Sequence, residues 1–236
     1  MPLPTISINP AAEQAASAIR AALVNGEYPP GMRLFEGAIA GELGISRMPV
    51  REALAALLGQ GLLERRNRCV RVPNLDAAEI EEVYIARSAL ESVLYERAAS
   101  RLNELDVAEL ERIEALVEGA STEGALVDLA AHNRTFHFAV MEKADLPRVL
   151  DLIGQLWDRT SYYRAFFWVD DEHRTITMNQ HCEIIEACRN RDARGLVSLH
   201  DQHRLQMFNA QMRWLAHREP LSGEKGLDAV VEPPRG

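Results

Sequence analysis

The stretch that decides the fold is residues 44–54, which read GISRMPVREAL. Gly44 can end one helix in the left-handed conformation, and Ser46 can cap the next helix by accepting backbone N–H bonds. Arg47 and Arg51 are four residues apart, so both project from one side of this second helix. Apolar residues occupy its opposite side. The pattern is typical of a DNA-recognition helix, although solvated arginines on an ordinary amphipathic helix are the alternative for this stretch alone.

The flanking sequence favours a winged helix-turn-helix. Apolar spacing predicts one helix over residues 15–23 and a shorter helix over residues 39–43, which ends a few residues before the recognition helix. Residues 62–66 and 70–73 then predict two short strands around a tip at Asn67-Arg68-Cys69. Three helices followed by a basic hairpin make up this fold.

Four motifs carry a resemblance to a known family: PPGMRL at 29–34, LGISR at 43–47, PVREAL at 49–54 and GLL at 61–63. With them, residues 15–73 resemble the DNA-binding domain of the GntR family of bacterial transcription regulators. The resemblance implies contacts to phosphates and base edges from four residues: Arg33, Ser46, Arg47 and Arg51. Of these, Arg47 or Arg51 can grip a guanine through two hydrogen bonds.

Two residues depart from the family's pattern. Met48 stands where the family usually has threonine, which removes a hydroxyl contact and offers an apolar contact to a thymine methyl group. Cys69 stands where the tip of the wing usually has glycine, which affects the geometry of the wing and its reach into the minor groove. We expect Met48 and the wing residue Arg68 to contact DNA together with the four residues above.

Charge is divided unevenly along the chain. The 236 residues carry a net charge of −9, yet residues 1–75 hold eight arginines against six glutamates, a net charge of +2 that leaves −11 for residues 76–236. The basic end is therefore the end with the helix-turn-helix. Because +2 is modest, affinity for DNA must come from a few placed arginines and from two copies of the domain.

Length and a hydrophobic content of 47% suit two domains. The expected organisation is a winged helix-turn-helix over 1–73, a linker over 74–76, an all-helical domain over 77–218 and a loose tail over 219–236. The fold class is therefore mainly α, with a small β-hairpin wing and a C-terminal helical bundle. The sequence has no run of about 18 apolar residues, no secretory signal and no C-x-x-C pair, so we expect a cytoplasmic protein without membrane association or a disulfide scaffold.

Helical periodicity after Asn74 assigns several polar residues to faces that must be buried. Asp76 and Glu79 predict a capping box at the start of a long helix. The apolar face of this helix has Arg87 at its centre, one turn before Glu91. An internal ion pair with Glu91 and a hydrogen-bonded ligand carboxylate account for this arginine equally well.

Three later helices each direct a histidine into the core: His137 together with Asn133, then His181, then His203. A single histidine on an apolar face is usually a core residue with satisfied ring nitrogens. Three on different helices favour convergence on one cation, because unpaired polar groups in a helical core cost about 1–3 kcal/mol each. The sequence alone leaves both explanations open.

A second resemblance rests on Arg87 with Leu90-Glu91, on the NRTFH run at 133–137, and on His181 and His203. Through them, residues 77–217 resemble the all-helical FCD effector domain of the FadR-type branch of the GntR family, in its vanillate-regulator-like six-helix form. Many members of this branch bind a divalent metal next to a small organic acid.

By position, the resemblance implies four metal ligands: Asn133, His137, His181 and His203. Zinc or nickel is the expected ion, because neutral imidazoles suit both. Asn133 stands where metal-binding members often have aspartate. Since an amide oxygen is a neutral and weaker donor, we expect reduced metal affinity or occupation only together with the effector.

The effector contacts expected from the sequence are Arg87, Tyr163 and Arg164. Tyr163 and Arg164 belong to an aromatic-rich segment, for which packing in the core or at a dimer interface is the alternative to lining a pocket.

Together these features predict a homodimeric regulator that binds an inverted-repeat operator and senses a small carboxylate, with repression as the expected mode. Effector binding would change the spacing of the two winged helices. One alternative is a metal-dependent enzyme with a helical active site, although the sequence has no H-E-x-x-H motif and no carboxylate marked as a general base. The other is a structural DNA-binding dimer that no small acid stabilises.

Overall fold

A computed structural model describes residues 10–160 and 171–217. These residues form two compact units, and the chain passes from the first to the second between Asn74 and Leu75. Tyr163, Arg164 and the predicted tail over 219–236 lie outside the described residues. Each unit is described here by itself.

The first unit combines helices with a small sheet, in the order α1 (Pro10–Val24), β1 (Arg33–Leu34), α2 (Glu36–Leu43), α3 (Arg47–Gly59), β2 (Glu64–Arg66) and β3 (Cys69–Arg71). β3 is the central strand and runs antiparallel to both β1 and β2. The wing is therefore a three-stranded sheet rather than the predicted two-stranded hairpin. β1 escaped prediction because two residues are too few to show an alternating pattern.

The turn before α3 depends on its glycine. Gly44 ends α2 with φ of 65°, and its backbone N–H donates to Ala40 and Gly41 carbonyls. Ser46 occupies the N-cap position of α3, but its side chain makes no cap hydrogen bond, contrary to prediction. The donors for such a bond are the second and third N–H groups of the helix, and the third residue of α3 is Pro49, which has none.

The tip of the wing is a two-residue turn. Asn67 and Arg68 both have positive φ, at 50° and 63°, as two-residue hairpin turns of this kind require. Cys69 pairs with Arg66 as the first residue of β3. The expectation that Cys69 belongs to the tip is therefore wrong, and its lack of glycine's conformational freedom does not strain the wing.

The inner face of α3 closes the core of the first unit. Val50, Leu54 and Leu57 are fully buried there, as predicted. They pack against apolar side chains from α1, α2 and the sheet: Ala15, Ala16, Ile19, Leu23, Leu34, Ile39, Ala40, Ala53, Leu63 and Val72. The outer face of α3 is thereby left to solvent.

The second unit is helical throughout its described residues: α4 (Ala77–Ala99), α5 (Glu104–Glu123), α6 (Leu126–Met141), α7 (Pro147–Arg159), α8 (Asp171–Arg189) and α9 (Ala193–His217), with a 3₁₀ turn at Glu142–Ala144. The predicted capping box is present. The Asp76 carboxylate accepts from the Glu79 N–H at 2.9 Å, and the Glu79 carboxylate accepts from the Asp76 N–H at 2.9 Å. The predicted fold class, a winged helix-turn-helix followed by a helical bundle, is confirmed.

α4 lies against α7 and α9, while α5 packs on α6 and α8. Their shared core is built around large apolar side chains, including Leu94, Leu110, Phe136, Ile153, Trp157 and Ile184. Within this core lie the buried polar residues that the periodicity singled out. None of the described helices combines the length and the apolar character needed to cross a membrane.

Candidate functional site

The exposed start of α3 carries four of the predicted DNA contacts: Ser46, Arg47, Met48 and Arg51. Met48 is 58% exposed although it is apolar. An exposed methionine beside two arginines suits apolar contact with a base edge in a groove. This end of α3 thus presents two guanidinium groups and an exposed apolar side chain together.

Both arginines of this surface lie against the start of α2. The Arg51 guanidinium grips the Glu36 carboxylate with two nitrogens, Nε at 3.0 Å from Oε1 and Nη2 at 2.8 Å from Oε2. This hydrogen bond holds the pKa of Glu36 below its usual value. Arg47 lies over Gly37, where a Cβ would meet the guanidinium at 3.4 Å. Glu36 was not predicted from the sequence, and it orients the Arg51 guanidinium in the free protein.

The other two predicted DNA contacts lie on the sheet. Arg33 in β1 is paired with Arg71 in register, and its guanidinium stacks over the Phe35 ring at 4.4 Å. Arg68 is exposed at the tip of the wing. The structure therefore brings Ser46, Arg47, Met48 and Arg51 together on one helix and leaves these two on separate parts of the wing.

Three histidines from α6, α8 and α9 meet in the core of the second unit. His137 and His181 are fully buried and His203 is 5% exposed. One ring nitrogen from each lies within 4.8 Å of the others, and the Nε2 atoms of His137 and His203 are 3.2 Å apart. Two imidazoles that bind one zinc ion with bonds of about 2.0–2.1 Å place their nitrogens at a similar separation.

The outward nitrogens of these rings are held by neighbouring side chains. The Nδ1 atoms meet Tyr95 Oη at 2.9 Å for His137, Glu114 Oε2 at 2.6 Å for His181 and Gln180 Oε1 at 2.9 Å for His203. Such partners orient imidazole ligands and set their tautomers. Each ring is therefore turned with its Nε2 atom available to the centre of the cluster.

Two buried atoms of the expected ligand residues lack a hydrogen-bond partner among the described residues: His181 Nε2, which belongs to the cluster, and Asn133 Oδ1. Asn133 is 2% exposed and lies one turn before His137 on α6. Leaving such groups unpaired costs about 1–3 kcal/mol each. A cation at the cluster would satisfy His181 Nε2, so the three imidazoles fit a divalent metal, and the Asn133 amide oxygen has the chemistry of a fourth ligand.

Burial keeps two of the three imidazoles, those of His137 and His203, neutral. Burial, followed by the neighbouring histidines, lowers the pKa of His137 well below 6.5, and the pKa of His203 falls for the same reasons. A neutral imidazole keeps the lone pair that a metal requires. His137 and His203 can therefore bind a metal at neutral pH without first losing a proton.

A second buried network centres on Glu91, which is completely inaccessible. Its carboxylate accepts from Arg87 Nε at 2.8 Å, from Trp157 Nε1 at 2.6 Å and from His200 Nε2 at 2.9 Å. Burial alone would raise the pKa of Glu91, but the Arg87 charge and the His200 hydrogen bond hold it well below 4.5. The ion pair between Arg87 and Glu91, one of the two explanations that the sequence left open, is thus present in the structure.

This ion pair uses only part of the Arg87 guanidinium. Arg87 Nη1 is buried and has no hydrogen-bond partner among the described residues. The guanidinium stacks over the Trp157 ring at 4.4 Å, and that ring is 5.3 Å from the ring of His137. A buried cationic donor thus lies one aromatic ring away from the histidine cluster.

His200 joins the two networks. Its ring stacks on Tyr95 with centroids 3.9 Å apart, and Tyr95 contacts His137 through its hydroxyl. The His200 side chain is only 1% exposed. Side chains from α4, α6, α7 and α9 therefore form one continuous polar cluster inside an apolar core.

Replacing Glu91 by glutamine is expected to destabilise the protein by about 3 kcal/mol at pH 7, because it leaves Arg87 buried without its counter-charge. Since the pKa of Glu91 is lowered by folding, its contribution is fully present above about pH 4.5 and declines as the pH falls. Denaturant titrations at pH 7 and pH 4 should therefore give a smaller difference between wild type and Glu91→Gln at the lower pH. An equal difference at both pH values would contradict the assignment.

Sequence analysis also missed Tyr95, Glu114 and Gln180. A signal existed for Glu114, which falls on the apolar face of α5 between Leu110 and Val117. The same reasoning that singled out the histidines would have found it. Tyr95 and Gln180 give no such signal, because tyrosine is common in cores and Gln180 is half-buried.

Comparison with known proteins agrees with this division into two units. The family described as bacterial regulatory proteins of the gntR family matches residues 11–69, and the FCD domain family matches residues 82–206. The HTH-type transcriptional repressor RspR of Escherichia coli (strain K12) is 26% identical over 211 residues, which cover 89% of this chain and 91% of that protein. The uncharacterized HTH-type transcriptional regulator YdhC of Bacillus subtilis (strain 168) is 24% identical over 200 residues, or 83% of this chain and 86% of that protein.

The solved structure of E. coli McbR/YncC is similar with a TM-score of 0.75 and 23% sequence identity. The similarity covers 88% of this chain and 99% of that one. At this level of identity, the resemblance shows a shared fold.

Proposed function

Because the chain belongs to the GntR family of bacterial transcription regulators and carries an FCD domain, we propose that it is an operator-binding repressor controlled by a small carboxylate bound beside a divalent metal. Regulators of this family bind operator DNA and commonly act as dimers. We infer a homodimer that reads an inverted repeat with one α3 per half-site.

The DNA-binding half of the proposal rests on the exposed start of α3. Arg47 and Arg51 present two guanidinium groups there, and Glu36 already orients the second of them. Arginine forks read guanine through two hydrogen bonds, and Met48 offers an apolar contact. Arg33, Ser46 and Arg68 are proposed as supporting contacts to the backbone of the duplex.

The sensing half of the proposal rests on one observation: three buried imidazoles from separate helices converge, and the Trp157 ring lies between them and the guanidinium of Arg87, whose Nη1 is unpaired among the described residues. Asn133, His137, His181 and His203 would hold the metal, which would supply positive charge for an anionic ligand. Arg87 Nη1 would donate to the same carboxylate, while Glu91 fixes the guanidinium through its Nε. The proposed contacts Tyr163 and Arg164 lie outside the described residues.

This arrangement favours a sensor over an enzyme. Among the described residues, the two buried carboxylates are Glu91 and Glu114, and both are already engaged, by Arg87 and His181. Neither is free to act as a general base. A ligand can change operator affinity only if it binds one state of the protein better, typically with about 1–3 kcal/mol of coupling.

The effector site is tested by thermal unfolding of the zinc-loaded protein with acetate, succinate and benzoate as probes. We expect at least one acid to raise the Tm of the wild type by several degrees, since a ligand at about 100 times its Kd contributes about 2.7 kcal/mol. Arg87→Lys keeps the positive charge opposite Glu91 but lacks the guanidinium nitrogen that would donate to the acid. The variant should therefore bind the same acid at least about tenfold more weakly.

The matched control is Arg112→Lys, which alters an exposed arginine on α5 that pairs with Glu109. It should respond to the acid like the wild type. Equal stabilisation of the wild type and Arg87→Lys would show that Arg87 does not hold the effector. A lack of response to any small acid would favour a dimer whose helical half has only a structural role.

A further inference from the structure

We propose that Glu114 is the positioning residue that supplies, through His181, the negative charge of the metal centre. The inference rests on the proposed metal site and deepens it. It concerns a residue of α5 that is not among the four proposed ligands.

The proposed ligand set is electrically neutral. Asn133 offers an amide oxygen, and the three histidines are neutral imidazoles. A divalent ion held by these groups alone would bring two uncompensated positive charges into a site whose side chains are 0–5% exposed. Burying unpaired charge is costly, so affinity depends on an anion near the ligands.

Glu114 is placed to be that anion. Its Oε2 atom accepts from the Nδ1–H of His181 at 2.6 Å, which leaves the lone pair of His181 on Nε2. The ring of His181 is stacked on Phe136 with centroids 4.1 Å apart and planes 15° apart, so its orientation is set on two sides. A carboxylate behind a histidine raises the basicity of the ligand and fixes its tautomer.

The other two histidines have neutral partners at the same position. His137 meets the hydroxyl of Tyr95 and His203 meets the amide of Gln180. Hydrogen bonds to an ionised group are roughly twice as strong as neutral ones. Among the described side chains, His181 is therefore the proposed ligand whose Nδ1–H donates to a carboxylate. We expect it to bind the metal most strongly of the three histidines.

The surroundings of Glu114 leave its charge available. In the described part of the chain, its recorded ion-pair partner is His181, with no lysine or arginine within ion-pair distance. Glu114 is 8% exposed, and its Oε1 atom has no hydrogen-bond partner among the same residues. A buried carboxylate without a cationic partner is costly by itself. A divalent ion bound to the Nε2 atom on the other side of the imidazole ring would balance this charge.

The test compares zinc affinities of the full-length protein by competition with a chromophoric chelator. Glu114→Gln keeps the size and an acceptor oxygen but removes the charge, so we expect zinc binding to weaken about 10–100-fold. Glu118→Gln removes an exposed carboxylate one turn later on the same helix and should leave zinc affinity unchanged. The Tm of the metal-free Glu114→Gln protein should not fall below that of the wild type.

A rescue variant separates charge from packing. Asn133→Asp introduces a carboxylate directly into the ligand set, so Glu114→Gln should cost much less zinc affinity in the Asn133→Asp background than in the wild type. If Glu114→Gln binds zinc like the wild type while His181→Ala loses it, the role of Glu114 is overturned and the metal site stands. If wild type and His181→Ala bind zinc equally weakly, the metal site and this inference both fall.

Discussion

Replacement of both Arg47 and Arg51 by glutamate is expected to weaken operator binding by roughly a thousandfold or more. Each arginine offers a bidentate contact, and each occurs twice in a dimer, so the double variant loses four such contacts and gains repulsion from phosphates. Arg51→Glu also faces Glu36, which lies within 3 Å of the present guanidinium. The surface that reads DNA would thereby change from basic to acidic.

The operator for this measurement is selected from random-sequence duplexes with the wild-type protein. Fluorescence anisotropy at one fixed salt concentration then gives the affinity of each variant. Arg112→Glu is the matched control, because it reverses an exposed arginine on α5 of the second unit. Retention of operator affinity within tenfold in the Arg47→Glu, Arg51→Glu protein would contradict the assignment of α3 as the recognition helix.

Truncation of His137 to alanine is expected to reduce zinc affinity by roughly a thousandfold, since loss of a direct ligand exceeds the cost of about 10–100-fold for losing a supporting residue. His137 lies at the middle of the cluster, 3.2 Å from His203 through facing Nε2 atoms and bonded to Tyr95 on its other side. Without metal, the stabilisation of the protein by small acids should disappear as well.

The control for this variant is His132→Ala, which removes a half-buried histidine five residues earlier on the same helix. Zinc affinity is again measured by chelator competition, with the metal-free Tm as a check on folding. His132→Ala should bind zinc like the wild type. Unchanged zinc binding in His137→Ala would mean that the buried histidines are core residues rather than ligands.

The sequence was sufficient to find the faces of helices but not the contacts between them. Apolar spacing correctly assigned Arg87, Asn133, His137 and His181 to buried faces, because a helix repeats every 3.6 residues and needs no knowledge of its neighbours. Membership in the GntR family with an FCD domain, predicted from short motifs, is confirmed.

What periodicity missed depends on segments far apart in the chain. Glu114 and His181 are separated by 67 residues, and Glu91 and His200 by 109. No local pattern reports that such residues meet. The same limit explains Glu36, whose partner Arg51 belongs to the next helix.

Local errors had local causes. The Ser46 side chain makes no cap hydrogen bond, and one of the two backbone N–H groups from which it could accept is missing because residue 49 is proline. The wing has a two-residue turn because Asn67 and Arg68 both adopt positive φ. The sequence does not predict this for Arg68, because arginine rarely adopts positive φ. These differences change details of the DNA-binding unit and leave its recognition helix in the predicted position.

The central claim is that occupation of the helical unit controls DNA binding, and operator affinity of the zinc-loaded protein tests it most directly. The measurement compares affinity with and without the acid that raises the Tm, in the wild type, Arg87→Lys and His181→Ala. We predict that the acid weakens wild-type operator binding by about 5–150-fold and leaves both variants unaffected. Equal operator affinity of the wild type with and without the acid would contradict the account.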